Sequence, residues 1–375
     1  MPSGPPSALH LTSVHTPDDT RIFHRELTTL ARSGWRVALA APVAESVEID
    51  GVDVIGVGTA NSRLSRVFRM SWRLLRVALK RRDDICHFHD PELIPLGIVL
   101  RACGRKVVYD VHEDYPVQIL SKTWIPSVLR RPISWLMAGL EWLGRVLLSG
   151  IVIAGPVLSP RFGSPKTAMV CNFPSLEEFG DPLPYGSGEG SAVYVGGLSI
   201  VRGAREMVRA MALVGTPDAK LQLAGTFRPE GLLDDLATEP GWEKVEHLGQ
   251  VGRPEAVRLV KSARVGVVVL HPLPNYIPAL PIKMYEYMAA GIPVVASSGT
   301  LWGDTIKELR CGLVVDPLDP QAVADAIDSL LADATTAAAM GARGRAAVEK
   351  DFSWEAQGAE LVGLYERIAP RDVAG

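Results

Sequence analysis

Apolar residues along this chain fall into short runs separated by stretches of helical periodicity. Residues 8–14 form the first run, and HTPDD at 15–19 forms a turn after it. Between 21 and 33, Ile22, Leu27, Leu30 and Ala31 recur on or near one helical face, and Gly34 supplies a stop signal. Further apolar runs at 37–41, 52–57, 84–88, 106–110 and 150–154 read as buried strands. Such strands alternating with helices predict a parallel sheet with helices on both faces. The rhythm breaks at 173–191, which opens FPSLEEFGDPLPYGSGEG and reads as a linker. It then restarts. Strands at 192–195, 220–224, 265–270, 293–297 and 313–315 alternate with helices at 204–214, 254–263, 282–290, 320–332 and 335–349. The pattern predicts two α/β domains, 1–172 and 192–352. Ligands of such sheets sit outside the carboxyl ends of the strands.

Composition narrows the class. The 375 residues are 47% hydrophobic and 22% charged, which argues against wholesale disorder. Cys86, Cys103, Cys171 and Cys311 stand far apart with no CxxC spacing. Neither disulfides nor zinc are expected, and a reducing cytosol fits. MPSGPPSALHL lacks the basic and apolar regions of a signal peptide, and no uncharged apolar stretch reaches 18 residues. The net charge of −3 hides a split. Residues 1–172 hold 21 Lys and Arg against 15 Asp and Glu, net +6, while 173–375 hold 18 against 27, net −9. The halves are expected to face different partners.

The sharpest local signal is ALPIKMYEYMAAGIPVVAS at 279–297. Glu286 lies near the start of a helix that Gly291 closes, and a strand follows at once. A carboxylate there either accepts hydrogen bonds from two hydroxyls or faces solvent. The second signal, YVGGLSIVRGAREMVRAM at 194–211, runs from a strand through a Gly-rich turn into a helix. Glycines let backbone approach a phosphate, and helix N-termini favour anions.

These segments resemble the family-4 (group 1) glycosyltransferases of the GT-B fold, and within them a subgroup reading PxKxYEYMAxG. The resemblance implies that Glu286 accepts hydrogen bonds from the ribose of a donor nucleotide. The family's second glutamate, eight positions earlier, is Pro278 here, so the backbone of 279–282, with Leu280 and Pro281, is expected to share in holding the donor sugar. Lys283 either reaches the diphosphate as a point charge or lies on the helix surface. Arg202 aligns with the family's diphosphate-binding lysine, Gly196 and Gly197 line the turn, and Gly197 stands where the family carries arginine. Gly225, in LQLAGTF at 221–227, is expected beside the nucleotide. Asn275 and Tyr276 are weaker candidates on a proline-rich lip.

In the N-terminal half, CHFHDPEL at 86–93 and YDVHEDYP at 109–116 each end a strand with His and acids. By the same resemblance His112 faces the donor sugar near the breaking bond, and His89 lines the acceptor side. Asp90 and Glu92, with Glu113 in the second cluster, are expected to orient an acceptor hydroxyl. A buried, packed imidazole is the alternative for His89 and His112. His87 is expected on the other side of its strand. In the first turn, Asp19 either caps the helix or meets an acceptor, and Arg21 points to a phosphate.

Residues 63–82 carry eight cations and no acid, with the first six spaced as a band on one helical side. Trp124, Trp135 and Trp142 follow among Leu, Val and Arg130, Arg131 and Arg145. The two stretches read either as a core helix with a solvated basic face or as a surface for an anionic membrane. No nucleic-acid-binding motif accompanies the charge.

The sequence thus predicts an α/β protein of the GT-B type, two facing Rossmann-like domains with a cleft between them, and a final helix in 353–375 packing back towards the N-terminal domain. The resemblance implies a retaining transfer from a nucleoside-diphosphate sugar, as co-substrate, to a sugar, lipid-linked or small-molecule acceptor in cell-surface polysaccharide or glycolipid synthesis. No cofactor and no metal are expected: Arg202 and Lys283 neutralise the leaving diphosphate, which itself takes the acceptor proton. The expected location is cytoplasmic, with the inner membrane face as a further candidate. A GT-B sugar-nucleotide epimerase and a non-catalytic binding module remain the alternatives.

Overall fold

The structure, a computed structural model, describes residues 4–59, 62, 65–122, 124–188 and 191–370. It divides into two compact units, Met1–Asn172 with Ala356–Gly375, and Phe173–Glu355.

Among the described residues the first unit holds eight strands: β1 (Ser7–Leu11), β2 (Arg36–Ala41), β3 (Val47–Ile49), β4 (Val52–Gly56), β5 (Ile85–Phe88), β6 (Lys106–Val111), β7 (Gly150–Ile153) and β8 (Thr167–Met169). Their order is β3-β4-β2-β1-β5-β6-β7-β8, parallel except for β3 against β4. The two-residue strand period sorts the side chains. Leu9, Leu11, Cys86, Phe88, Val107 and Tyr109 enter one core with Leu74, Ala78, Leu96 and Leu100 of the helices Ser71–Arg81 and Ile94–Ala102. The alternate positions are not all apolar. His10, which pairs with His87 in register, faces the other way, and both are fully buried.

The second unit holds β9 (Ala192–Val195), β10 (Leu221–Ala224), β11 (Val245–Gly249), β12 (Val265–Val268), β13 (Val294–Ser297) and β14 (Gly312–Val315). All six are parallel, in the order β11-β10-β9-β12-β13-β14. Tyr194, Leu221, Leu223, Val265, Val267 and Val295 pack against Val208, Met211, Val323 and Ile327 from two helices. Gly225 follows β10 with φ +146, and a Cβ there would collide with the carbonyl of Gly196. The tight crossing of these two strand ends is enough to require glycine.

The stretch at 173–191 is not a free linker. Phe173 and Phe179 are buried, Lys261 Nζ donates to Phe179 O at 2.6 Å, and Tyr185 Oη donates to Leu330 O at 3.2 Å. Its Pro/Gly content signals aperiodic backbone, and its two phenylalanines anchor it to the second unit. The last helix, Trp354–Ile368, joins the first unit from Ala356 onward, burying Leu361, Leu364 and Tyr365. Cys171 N there donates to Gln357 Oε1 at 2.8 Å.

The basic stretch is helical, though Arg63 and Leu64 lie outside the described residues. Leu74 and Ala78 turn inward, while Phe68 and Trp72 are exposed. Arg73 donates to Val57 O, and Arg81 pairs with Asp53 and Asp83. The helix Ser127–Leu147 exposes Val128, Trp135 (73%) and Trp142 (60%). Among the described residues no helix is long and apolar enough to cross a membrane.

Candidate functional site

The carboxyl ends of β1, β5 and β6 gather a polar cluster around Asp110, a fully buried carboxylate. Arg21 grips it in a fork, Nε to Oδ2 and Nη2 to Oδ1, both at 2.9 Å, and gives Nη1 to Val170 O. His89 Nδ1 lies 3.1 Å and His112 Nε2 2.9 Å from Asp110 Oδ2. Burial alone would drive this carboxyl upward. Arg21, then His112 and His89, instead hold it well below the usual carboxylate range.

An ionised Asp110 orders the protons behind it. His89 donates from Nδ1 to Asp110, so the neutral ring accepts at Nε2 from His10 Nδ1, 2.9 Å away. His10 Nε2 then accepts from Tyr365 Oη at 3.0 Å, and His87 Nδ1 donates to that oxygen at 2.8 Å. Burial, the largest influence on each, pushes His10, His87 and His89 below the ordinary imidazole value, consistent with three neutral rings. Glu26 lies beside them with Oε1 3.0 Å from Arg21 Nε. Burial and then Asp110 raise its carboxyl well above normal. The chain of contacts leads from Tyr365 to His112, which has exposed surface where His10, His87 and His89 have none.

His15 lies against that open end. Its ring stacks on His112 at 5.5 Å, Nδ1 meets Asp19 Oδ2 at 2.9 Å, and Nε2 is 3.7 Å from Asp90 Oδ1. The Asp19 hydrogen bond raises His15 above the ordinary value despite burial. Asp19 Oδ1 accepts from the N–H groups of Arg21 and Ile22, as a cap does. Although burial acts upward on Asp19, those bonds and His15 hold its carboxyl well below normal.

Several expectations change here. Arg21 is buried and spends its guanidinium inside the protein, so it positions Asp110 and is not free for a phosphate. His89 has no exposed surface and serves as a link in the relay. Asp90 is also buried, with Oδ2 accepting from Thr12 Oγ1 at 2.9 Å and Ser13 N at 2.6 Å. Glu92 accepts from Ser13 Oγ, and exposed Glu113 accepts from Gln118. His87 stacks on His89 at 4.7 Å, on the same side of the strand, because residues two apart share a face. His10, His15, Glu26, Asp110 and Tyr365 were not anticipated as site residues. A lone His inside an apolar run, as at His10, was the available signal.

In the second unit, Gly196 and Gly197 follow β9. Gly197 O accepts from Tyr194 Oη and Arg202 Nη1, both at 2.9 Å. A Cβ on Gly197 would lie 2.6 Å from Arg202 Nη1. The glycine leaves room for the Arg202 guanidinium beside it. Lys283 Nζ sits 4.7 Å over the Tyr194 ring. Burial, and then the charge of Arg202, lower its pKa to about 8. Neither cation forms an ion pair with a carboxylate among the described residues. Leu280 and Pro281 lead into the helix Ile282–Ala289, and both are half-buried.

Glu286, only 7% exposed, is gripped through Oε1 by Arg253 Nη1, whose other nitrogens hold Glu178. Oε2 of Glu286 has no protein hydrogen bond among the described residues. Arg253 was missed because nothing local to GRPEAV points to a glutamate 33 residues away. Among the described residues two groups carry ligand chemistry for a metal, His10 with Glu26, His87 and His89, and His89 with Asp110 and His112. Within each, one ligand atom per residue lies within 4.8 Å of the others. The hydrogen-bond relay accounts for most of these contacts.

Residues 20–151 match the family model described as a glycosyl transferase 4-like domain, and 189–333 the one described as glycosyl transferases group 1. A Corynebacterium glutamicum GDP-mannose-dependent monoacylated alpha-(1-6)-phosphatidylinositol monomannoside mannosyltransferase is 30% identical over 169 residues, 44% of either chain. An MMP alpha-(1->4)-mannosyltransferase of Mycolicibacterium hassiacum is 22% identical across 91% of this chain and 84% of its own. Among solved structures, the sucrose-phosphate synthase of Thermosynechococcus elongatus superposes with a TM-score of 0.73 at 19% identity, covering 97% of this chain and 99% of that one. With one domain model matched in each parallel-sheet unit, and the fold shared along the chain, this protein belongs to the group 1 glycosyltransferases of the GT-B fold.

Proposed function

We propose that this protein transfers a sugar, with retention, from a nucleoside-diphosphate sugar to an acceptor hydroxyl. The carrying observation is the pair Arg202 and Lys283 at a Gly-rich strand end, without an ion-paired carboxylate among the described residues, with Lys283 one helical turn from Glu286, whose Oε2 has no protein hydrogen bond among those residues. The cations suit a diphosphate and the carboxylate suits a ribose. Electrostatic stabilisation of the leaving diphosphate is then supplied by side chains, without a metal, and that diphosphate takes the acceptor proton. In the first unit, His112 is the group assigned to the reacting sugar, held by Asp110 as a carboxylate holds a catalytic imidazole. His15, Asp19 and Glu92 are assigned to the acceptor.

The names of two relatives, both mannosyltransferases, one acting on a phosphatidylinositol mannoside, support a glycoconjugate acceptor. Exposed Phe68, Trp72, Trp135 and Trp142 among exposed Arg and Lys support work at an anionic membrane surface. The test is transfer from a matched donor by Glu286→Ala and Arg202→Ala. Each is expected to lose at least tenfold in kcat/KM, and unchanged transfer by both would refute the donor assignment. The coupling constant of the product's anomeric proton reports retention or inversion.

A further inference from the structure

A cavity of about 620 Å³ opens in the first unit at the amino ends of β6, β7 and β8, away from the histidine cluster at the strands' carboxyl ends. That volume falls within the roughly 300–1,000 Å³ of small-molecule sites. Four cations reach it from four segments. Arg101 comes from the end of the helix Ile94–Ala102, Lys106 opens β6, Lys166 precedes β8, and Arg367 comes from the last helix. Among the described residues no acidic side chain lines it. Arg101, Lys106 and Arg367 are exposed and form no ion pair with a described carboxylate. Lys166 is fixed in place, with Nζ donating to Val146 O at 2.8 Å and Leu148 O at 2.7 Å. Burial and the charges of Arg101 and Arg145 lower its pKa, as expected where cations crowd without a counterion. Leu148 and Leu364 supply an apolar wall. At the rim, exposed Val146 and Leu147 continue the helix that carries Trp135 and Trp142.

We propose that this cavity is a second anion site, for a phosphoryl group carried either by a lipid headgroup or by a soluble phosphate ester. Convergent cations recognise the phosphate oxygens, and the apolar wall and rim accommodate the carbon skeleton attached to them. The site stands whatever reaction the donor site performs.

The experiment compares the full chain with the double variant Arg101→Gln/Arg367→Gln, both at exposed positions. Flotation with phosphatidylglycerol or phosphatidylcholine vesicles is one arm, and titration with sn-glycerol 3-phosphate is the other. An equal thermal midpoint controls for folding, and Lys106→Gln is a second, independent variant. Loss of about tenfold or more in phosphatidylglycerol binding assigns the site to a lipid headgroup. An equal loss confined to glycerol 3-phosphate assigns it to a soluble ester. Binding of both probes unchanged in both variants, or no binding of either probe by the wild type, overturns the proposal.

Discussion

Lys283 shows how burial and charge set the behaviour of one side chain. Its pKa of about 8 lies below the unfolded value near 10.5. Below pH 8 it is charged in both states, and the folded state carries the full desolvation penalty. Between about 8 and 10.5 the folded protein has lost this proton and the unfolded chain keeps it, so this group's contribution to stability rises with pH across that window. Donor binding has the opposite sign, because a diphosphate prefers the ammonium form. Donor affinity measured by calorimetry is expected to hold steady below pH 7 and weaken up to about tenfold per unit above 8. Lys283→Met should bind weakly and without this pH dependence, and a wild-type-like profile in that variant would exclude Lys283 from the site. Asp110 makes a second case. Asp110→Asn leaves Arg21 buried without its ionic fork, and a loss of about 3–5 kcal/mol is expected in urea unfolding. Glu286 and Arg202 stood out in the sequence because they sit in contiguous motifs. Arg253, His15 and Tyr365 did not, since their contacts with Glu286, Asp90 and His10 span 33 to 355 residues.

At the scale of elements, the alternation of apolar strands and helices was readable because the central strands, such as β1, β5, β7, β12 and β13, are buried along their whole length. The short β3 and β8 were not read as strands. At three residues each they carry no continuous buried apolar run. The turn between β10 and the next segment depends on one glycine. Gly225→Ala combines φ +146 with a backbone collision, and a loss of about 1–3 kcal/mol is expected in the thermal midpoint or urea titration. The helix Ser127–Leu147 poses the functional question at this scale. Its outward Trp135 and Trp142 pack on no core, so Trp135→Ala/Trp142→Ala is expected to leave stability within about 0.5 kcal/mol. Flotation with anionic vesicles should fall at least tenfold in that variant, and equal flotation would exclude this face from membrane contact.

For the whole molecule, the charge split acquires a structural basis. The first unit's surplus lies on exposed helices and in the cavity at the sheet's amino end. The second unit is acidic overall yet concentrates at one strand end two cations that form no ion pair with a described carboxylate. Net charge alone would assign an anionic donor to the first unit, whereas the proposed site lies in the second, because recognition of a diphosphate is local. The central claim is that this strand end of the second unit binds a nucleoside-diphosphate sugar. Thermal denaturation of the wild type and Glu286→Ala against a panel of nucleotide sugars tests it most directly. One donor at about 100 times its Kd should add roughly 2.7 kcal/mol to the wild type, a shift of several degrees, and the variant should lose most of it. A panel in which no nucleotide sugar stabilises the wild type, or in which the variant gains equally, would contradict the claim.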